Sequence, residues 1–356
     1  LKPAFSTENE YGFNVNFLTN YTLEYSYSDK STSDQIMSVP LSAAAGYRNQ
    51  WRNAGTLAGQ THELAIGAVL ASSKDFFWRL NVTADRTRQK ITQLNVAPFL
   101  VGPSASDANT KIFRIAEGQK FGVIYGSRWI RDAGQLAATI KSGKLNGVAA
   151  DYKVNEDGYY VRAAEFHTVN EVPLKAYDET GEALTEIGDV NPDFNMGISN
   201  TLQWKGVTLS AQFNWVKGGE IYNYTRQWPF NEFRDPVINQ TGKPEAEKKP
   251  TTYYSAFYNN FDSNDYFVEN GTYLRLRELA VNVQVPKAWM AKVYGLSQFA
   301  SARIGVIGQN LWTKTNYSGY DPDVSGPGGG NPFGYRVDYF TYPTYRTVKF
   351  MLDLNY

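Results

Sequence analysis

Val207-Thr208-Leu209-Ser210-Ala211-Gln212-Phe213-Asn214-Trp215 puts Val207, Leu209, Ala211, Phe213 and Trp215 on one side of an extended chain and Thr208, Ser210, Gln212 and Asn214 on the other. Alternation at period 2 marks a strand with one apolar face. Upstream, Phe194, Met196, Ile198, Leu202 and Trp204 share a face interrupted by Asn200, and Lys205-Gly206 is a hairpin-sized turn. The pattern repeats in Tyr11, Phe13, Val15 and Phe17, in Tyr21, Leu23, Tyr25 and Tyr27, and in Leu64, Ile66, Ala68 and Leu70. It returns in Phe76, Trp78, Leu80, Val82 and Ala84, again around 300–311, and in Val348, Phe350, Leu352, Leu354 and Tyr356. Residues 271–285 alternate too but change phase near Arg277-Glu278, as a bulge or emergence from a bilayer would cause. Lys287 to Tyr294 is helix-compatible.

The connections sort into two kinds. Those at 18–20, 72–74 and 205–206 are short, about 286–298 is modest, and about 31–60, 90–192, 218–270 and 313–343 are long. Short turns at one rim and long loops at the other are the habit of outer-membrane barrels, with the turns periplasmic. The expected fold is therefore all-β: a transmembrane antiparallel barrel, partial, of about nine strands, with the last descending to a periplasmic C-terminus. An open nine-stranded sheet leaves two unpaired edges in lipid, where each unsatisfied backbone group costs several kcal/mol. The expectation is that the remaining strands lie in a missing N-terminal portion or another chain. Leu1-Lys2-Pro3 shows no initiator Met or signal peptide, consistent with a processed chain or a piece of something longer.

Composition agrees with this and removes several classes. With 35 basic and 35 acidic residues in 356, no global basic field of the nucleic-acid-binding kind exists. Zero Cys excludes disulfides, thiolate metal sites and a Cys nucleophile. No stretch approaches the roughly 18 apolar residues of a membrane-spanning helix, a test that barrels evade. Aromatics make up 15% of the chain, including 25 Tyr, which demands rings at interfaces or in loops.

Several motifs in order resemble the SusC/RagA family of TonB-linked outer-membrane proteins. They are GDVNPDFNMG (188–197), FNWVKGGEIYN (213–223), FVENGTYLRLREL (267–279), GQNLWTKTNYSGYDPDVS (308–325) and YPTYRT (342–347), with the aromatic C-terminus and the opening Leu1-Lys2-Pro3 near Glu8 and Glu10. The resemblance spans nearly the whole chain and is weakest over about 90–185. It implies residues 1–356 as the C-terminal portion of a barrel of about 22 strands, with the plug and N-terminal strands absent. It also implies TonB as a partner through that plug, a SusD-like surface lipoprotein as a lid, outer-membrane lipid around the wall, and import of a glycan, peptide or similar nutrient.

Catalytic chemistry finds little support. His62 and His167 lie far apart, each beside one carboxylate, Glu63 or Glu165, short of a metal's ligand set. Neither G-x-S-x-G nor a Walker A loop is present. Asp321-Pro322-Asp323 with Asp338 is either a Ca²⁺ loop or turn chemistry ahead of Gly326–Gly330, and turn chemistry is the favoured reading. No enzyme, cofactor or metal is expected. The 218–270 connection is dense in rings, among them Tyr222, Tyr224, Trp228, Phe230, Phe233, Tyr253, Tyr254, Phe257, Tyr258, Phe261 and Tyr266. These either stack on cargo or form the loop's own small core. Arg226, Trp228, Phe230, Tyr317 and Tyr320 are the candidate substrate contacts. Tyr11, Phe17, Tyr21, Trp78, Trp204 and Tyr356 are candidate membrane-interface aromatics, with a sandwich core as the competing reading. Inward polar residues such as Arg79, Asp85, Gln212, Lys349 and Asp353 would then face a pore or plug. The alternatives to import are a structural scaffold in an envelope assembly and a secreted carbohydrate-binding β-sandwich.

Overall fold

Each alternating segment forms a strand of one antiparallel sheet. The computed structural model describes residues 1–104, 111–258, 263–324 and 336–356. Within them the sheet comprises β1 (Phe5–Phe17), β2 (Tyr21–Pro40), β3 (Asn49–Ser72), β4 (Phe76–Leu94), β5 (Phe194–Trp204), β6 (Val207–Lys217), β7 (Tyr273–Gln284), β8 (Ser301–Thr315) and β9 (Thr347–Asn355). The nine are hydrogen-bonded in chain order, an up-and-down sheet with no crossover.

Register carries one apolar row across the whole sheet. Val15 faces Leu23, Leu23 faces Ile66, Ile66 faces Val82, and Val82 faces Ile198. The next pair is Ile198 with Phe213. Two same-face steps nearer the short turns, Leu209, Val281, Val306 and Phe350 pair in succession. The opposite face pairs Asn14 with Glu24, Glu63 with Asp85, Thr201 with Ser210 and Arg303 with Asp353. Among the described residues no second layer covers the apolar face: Val281 and Val306, mid-strand, are 40% and 42% exposed. A sandwich would bury that face, whereas a barrel in lipid leaves it bare of protein.

The turns explain the tight rim. Lys205 and Gly206 both have positive φ, 45° and 85°, as a two-residue I′ hairpin requires. The phase change in β7 is a bulge: register shifts between Leu276 and Glu278 against β8, and at the matching place against β6. Its effect is to aim Arg277 at the same inner side as Arg275, where it donates to Asn214 at 3.1 Å.

Two expectations need correction. The connection placed at about 31–60 is mostly strand, since β2 and β3 pair up to Pro40 and Asn49 and leave residues 41–48 as the loop. Above the apolar band the hairpin packs Val39 and Ala54 against the loop layer and meets water elsewhere, so the period-2 signature set by lipid disappears while backbone pairing continues. The connection placed at about 90–192 contains folded structure. Phe99–Ser104, Lys111–Ile115, Val123–Gly126 and Thr185–Asp189 form a four-stranded sheet, accompanied by α1 (Ala133–Lys141) with Asp132 as its N-cap.

The other long connections supply α2 (Tyr224–Asn231), α3 (Thr251–Phe257) and a small sheet of Glu220–Asn223, Val268–Asn270 and Val337–Asp338. All three connections meet in one core with the tops of β2, β3 and β4, including Val39, Ala54, Ile91, Phe113, Trp129, Tyr222, Phe230, Phe257 and Val337. The molecule thus has two tiers, a wall and a packed layer over its long-loop rim.

Candidate functional site

A site for capturing cargo belongs in the layer over the rim, because the wall's outer face is apolar along its middle and turned away from the lumen. Helix α2 starts where the Asn223 side chain accepts from the Arg226 N–H, and it presents Tyr224, Gln227 and Phe230 inward. Phe230 is fully buried and meets Tyr266 and Phe267 edge-on at 5.0 and 5.2 Å. Arg226 donates to Asp235 at 3.0 Å and Glu269 at 3.4 Å, with Tyr266 under its guanidinium at 5.3 Å. Tyr317 is buried and donates to Asp338 Oδ2 at 2.5 Å. Burial and that bond push its phenol far above the usual range.

Arg226, Phe230 and Tyr317 therefore hold the layer together, and a ligand reaching Phe230 or Tyr317 would have to displace packed neighbours. Tyr320 is 83% exposed and open to a ligand. Trp228 is half-buried, 6.2 Å from Phe340, and its Nε1 is a buried donor with no hydrogen-bond partner among the described residues. The five candidates do not converge on one pocket: two remain accessible and three are structural. Phe261, Ser325 and Gly326–Gly330 lie outside the described residues.

Two ionic clusters stitch the layer. Lys249 reaches in from the 218–272 connection to donate to Glu171 at 2.8 Å and Glu156 at 2.7 Å, both in the preceding connection. His167 adds a 2.7 Å contact to Glu156, while Tyr253 donates to Asp157 at 2.7 Å and accepts from Asn155. Partial burial opposes ionisation of Glu156, yet its bonds from Lys249 and His167 outweigh this and lower it to about 2. Glu171 is lowered in the same way, burial being outweighed by Lys249 and Asn155. The second cluster ties the inner wall to the last loop. Buried Arg275 binds Asp321 and the Thr344 hydroxyl, and Arg277 binds Asp323 at 2.6 Å. Asp321 and Asp323 thus face arginines instead of converging on a cation, and no metal-sized group of ligands occurs among the described residues. His62, by contrast, sits on the apolar face and contacts the Tyr25 hydroxyl at 2.8 Å.

Sequence reasoning missed a groove of about 1940 Å³ between the tall β2–β3 hairpin and the Phe99–Ser104 strand. Tyr47 and Trp51, 77% and 63% exposed, line it with Arg48, Gln35 and Gln93. None of the predicted contacts borders it. The signal was present as two rings around a cation in Tyr47-Arg48-Asn49-Gln50-Trp51, within a stretch read as loop.

The candidate interface aromatics all lie on the apolar face, at its ends. Tyr11 pairs with Tyr27 near the long-loop rim. Phe17 stacks on Tyr21 at 5.4 Å beside a tight turn, Trp204 pairs with Phe76, and Trp78 pairs with Leu202 one step in. Tyr356 meets Phe299 edge-on at 5.4 Å.

No family model matches the chain. Two curated proteins of Formosa agariphila do. TonB-dependent receptor P3 is 27% identical over all of this chain and 34% of its own length, and TonB-dependent receptor P39 is 20% identical over 92% and 33%. The chain spans about a third of the length of these relatives. Among solved structures, the RagAB peptide importer in its closed-closed state superposes with a TM-score of 0.70 at 19% identity, over 99% of this chain and 35% of the other. A second RagAB structure gives 0.65 at 18%. The chain is thus similar over its whole length to TonB-dependent receptors, and it shares the barrel-wall fold of about a third of a chain in the RagAB structures.

Proposed function

We propose that this SusC/RagA-type wall serves outer-membrane import of a glycan, peptide or similar nutrient, driven through TonB. The observation that carries the reading is the two-tier build: a lipid-facing wall with a polar inner face, roofed at one rim by a single packed layer of long loops. In this reading further strands close the sheet edges at β1 and β9, and a plug inside the polar lumen receives TonB's pull. A SusD-like lipoprotein closes over the loop layer, as the resemblance to the SusC/RagA family implies. Trp228 and Tyr320 contact cargo or lid, while Arg226, Phe230 and Tyr317 hold the loop that carries them. Tyr11, Phe17, Tyr21, Trp78, Trp204 and Tyr356 seat the wall at the two headgroup zones. No bond of the cargo is made or broken.

The test is uptake of labelled oligosaccharides and oligopeptides by cells carrying the full-length receptor, with and without a proton uncoupler. Uncoupler-sensitive, receptor-dependent uptake of one cargo class is the expected result. Receptor-dependent envelope integrity without any such uptake would favour a scaffold instead.

A further inference from the structure

Directly above the apolar band, the outward face changes character in a repeated way. On β4 the last apolar outward residue is Ala84, and the next residue on that face is Arg86, followed by Arg88 and Lys90. On β6 the step is from Trp215 to Lys217, and on β8 from Trp312 to Lys314. Three successive ascending strands thus place a cation one same-face step beyond the last apolar outward side chain. Cross-strand register sets Arg86 level with Lys217, since Phe194 pairs with Lys217 and Asn195 pairs with Asp85, one residue before Arg86; Lys314, paired with Leu274 opposite Trp215, lies one same-face step nearer the apolar band. His62 pairs with Arg86 from the other side.

The accompanying acids pair with Arg88 and leave the rest of this band unpaired among the described residues. Asp193 is engaged by Arg88 at 3.7 Å and Asp189 by Lys120 at 3.5 Å. Arg86, Lys90, Lys217 and Lys314 make no ion pair among the described residues. On β2 the position level with Arg86 is Tyr27 and the one level with Arg88 is Asp29, so the cationic band stops short of that strand. The opposite rim carries Lys74 and Lys205 in its turns but, among the described residues, no cation on the outward face of its strand ends. Its outward ends are the rings Phe17, Tyr21, Phe76 and Trp204, with Lys205 lying against Trp204 at 5.7 Å. A rim facing only water would mix both signs. A line of cations continuous with a lipid-facing band, at one leaflet only, complements anionic headgroups there. Lys stems lie along apolar surface while their ammonium groups reach the polar zone, and Arg adds bidentate donation to phosphate.

We propose that Arg86, Lys217 and Lys314, with Lys90 and Arg88 above them, form a binding surface for phosphate groups of glycolipid headgroups in the outer leaflet. The surface anchors the wall in register with that leaflet, and the inference stands on the barrel alone, independent of what is imported. The test uses the full-length receptor in mild detergent, titrated with micelles doped with diphosphorylated lipid A or with the same lipid stripped of phosphate. The expected result is at least fivefold weaker binding of the dephosphorylated lipid. The combined Arg86→Gln, Lys217→Gln and Lys314→Gln variant should weaken phosphorylated-lipid binding by a similar factor. Lys74→Gln with Lys205→Gln at the opposite rim should leave it unchanged. Wild-type indifference to phosphate would overturn the proposal without recourse to any variant. So would full binding by a triple variant that retains heat-modifiable migration, or complete displacement of the lipid by millimolar inorganic phosphate, which would mark a site for free anions.

Discussion

Val281 and Val306 in the wall keep two-fifths of their surface free of protein, whereas Tyr222, Phe230 and Phe257 in the layer above lose nearly all of theirs. The same residue classes thus play opposite parts within one chain. In the wall, backbone pairing sets the structure and the apolar side chains answer to lipid. In the layer, short helices and strands contribute little by themselves, and rings and buried ion pairs from three distant connections set the structure. It follows that the tiers should fail separately.

The largest separation is expected from Lys249→Met, which strands the fully buried Glu171 carboxylate without its partner. Breaking one side of a buried pair costs about 3–5 kcal/mol. Rapid proteolysis between residues 150 and 258, with unchanged heat-modifiable migration of the wall, is the expected readout. Phe230→Ala should do nearly as much, about 3–5 kcal/mol from the cavity left in the core. The mirror experiment is Val281→Arg at mid-wall, where an arginine facing lipid costs about 2–4 kcal/mol. There the yield of folded barrel should fall, and loops in the molecules that do insert should stay protease-resistant.

Acid provides a graded version of the same contrast. Glu156 and Glu171 are held below their ordinary 4.5, so the unfolded layer binds more protons than the folded one at intermediate pH. Their contribution is complete above about pH 4.5 and is lost as pH falls toward 2. Loop protection measured by hydrogen exchange should decline across that window while exchange in β6 and β7 stays flat. The smallest effect is expected at Trp228→Phe. Removing a buried donor that has no partner leaves stability unchanged or slightly higher, yet cargo capture should weaken if the indole N–H serves a ligand.

The same contrast governs what the sequence discloses. The nine strands were legible because one solvent, lipid, imposes period 2 on them, and even the bulge at Arg277 announced itself as a phase slip. The upper half of β2–β3 was not, because Asp29–Ser38 stands above the lipid, where nothing enforces alternation. In the site, ring density around 222–266 left cargo stacking and a packed loop core both open, because residue type cannot tell Phe230, which is buried, from Tyr320, which is bare. That distinction rests on partners such as Asp235, Glu269 and Asp338, brought in from far along the chain.

Lipid contact along the wall admits a direct measurement, made convenient by the absence of cysteine. Single substitutions from Thr208→Cys through Phe213→Cys in the full-length receptor would each carry a fluorophore, quenched by brominated acyl chains in proteoliposomes. Labels at 209, 211 and 213 should be quenched and those at 208, 210 and 212 should not. Equal quenching along the run, or none at 209, 211 and 213, would contradict the assignment of that face to the bilayer.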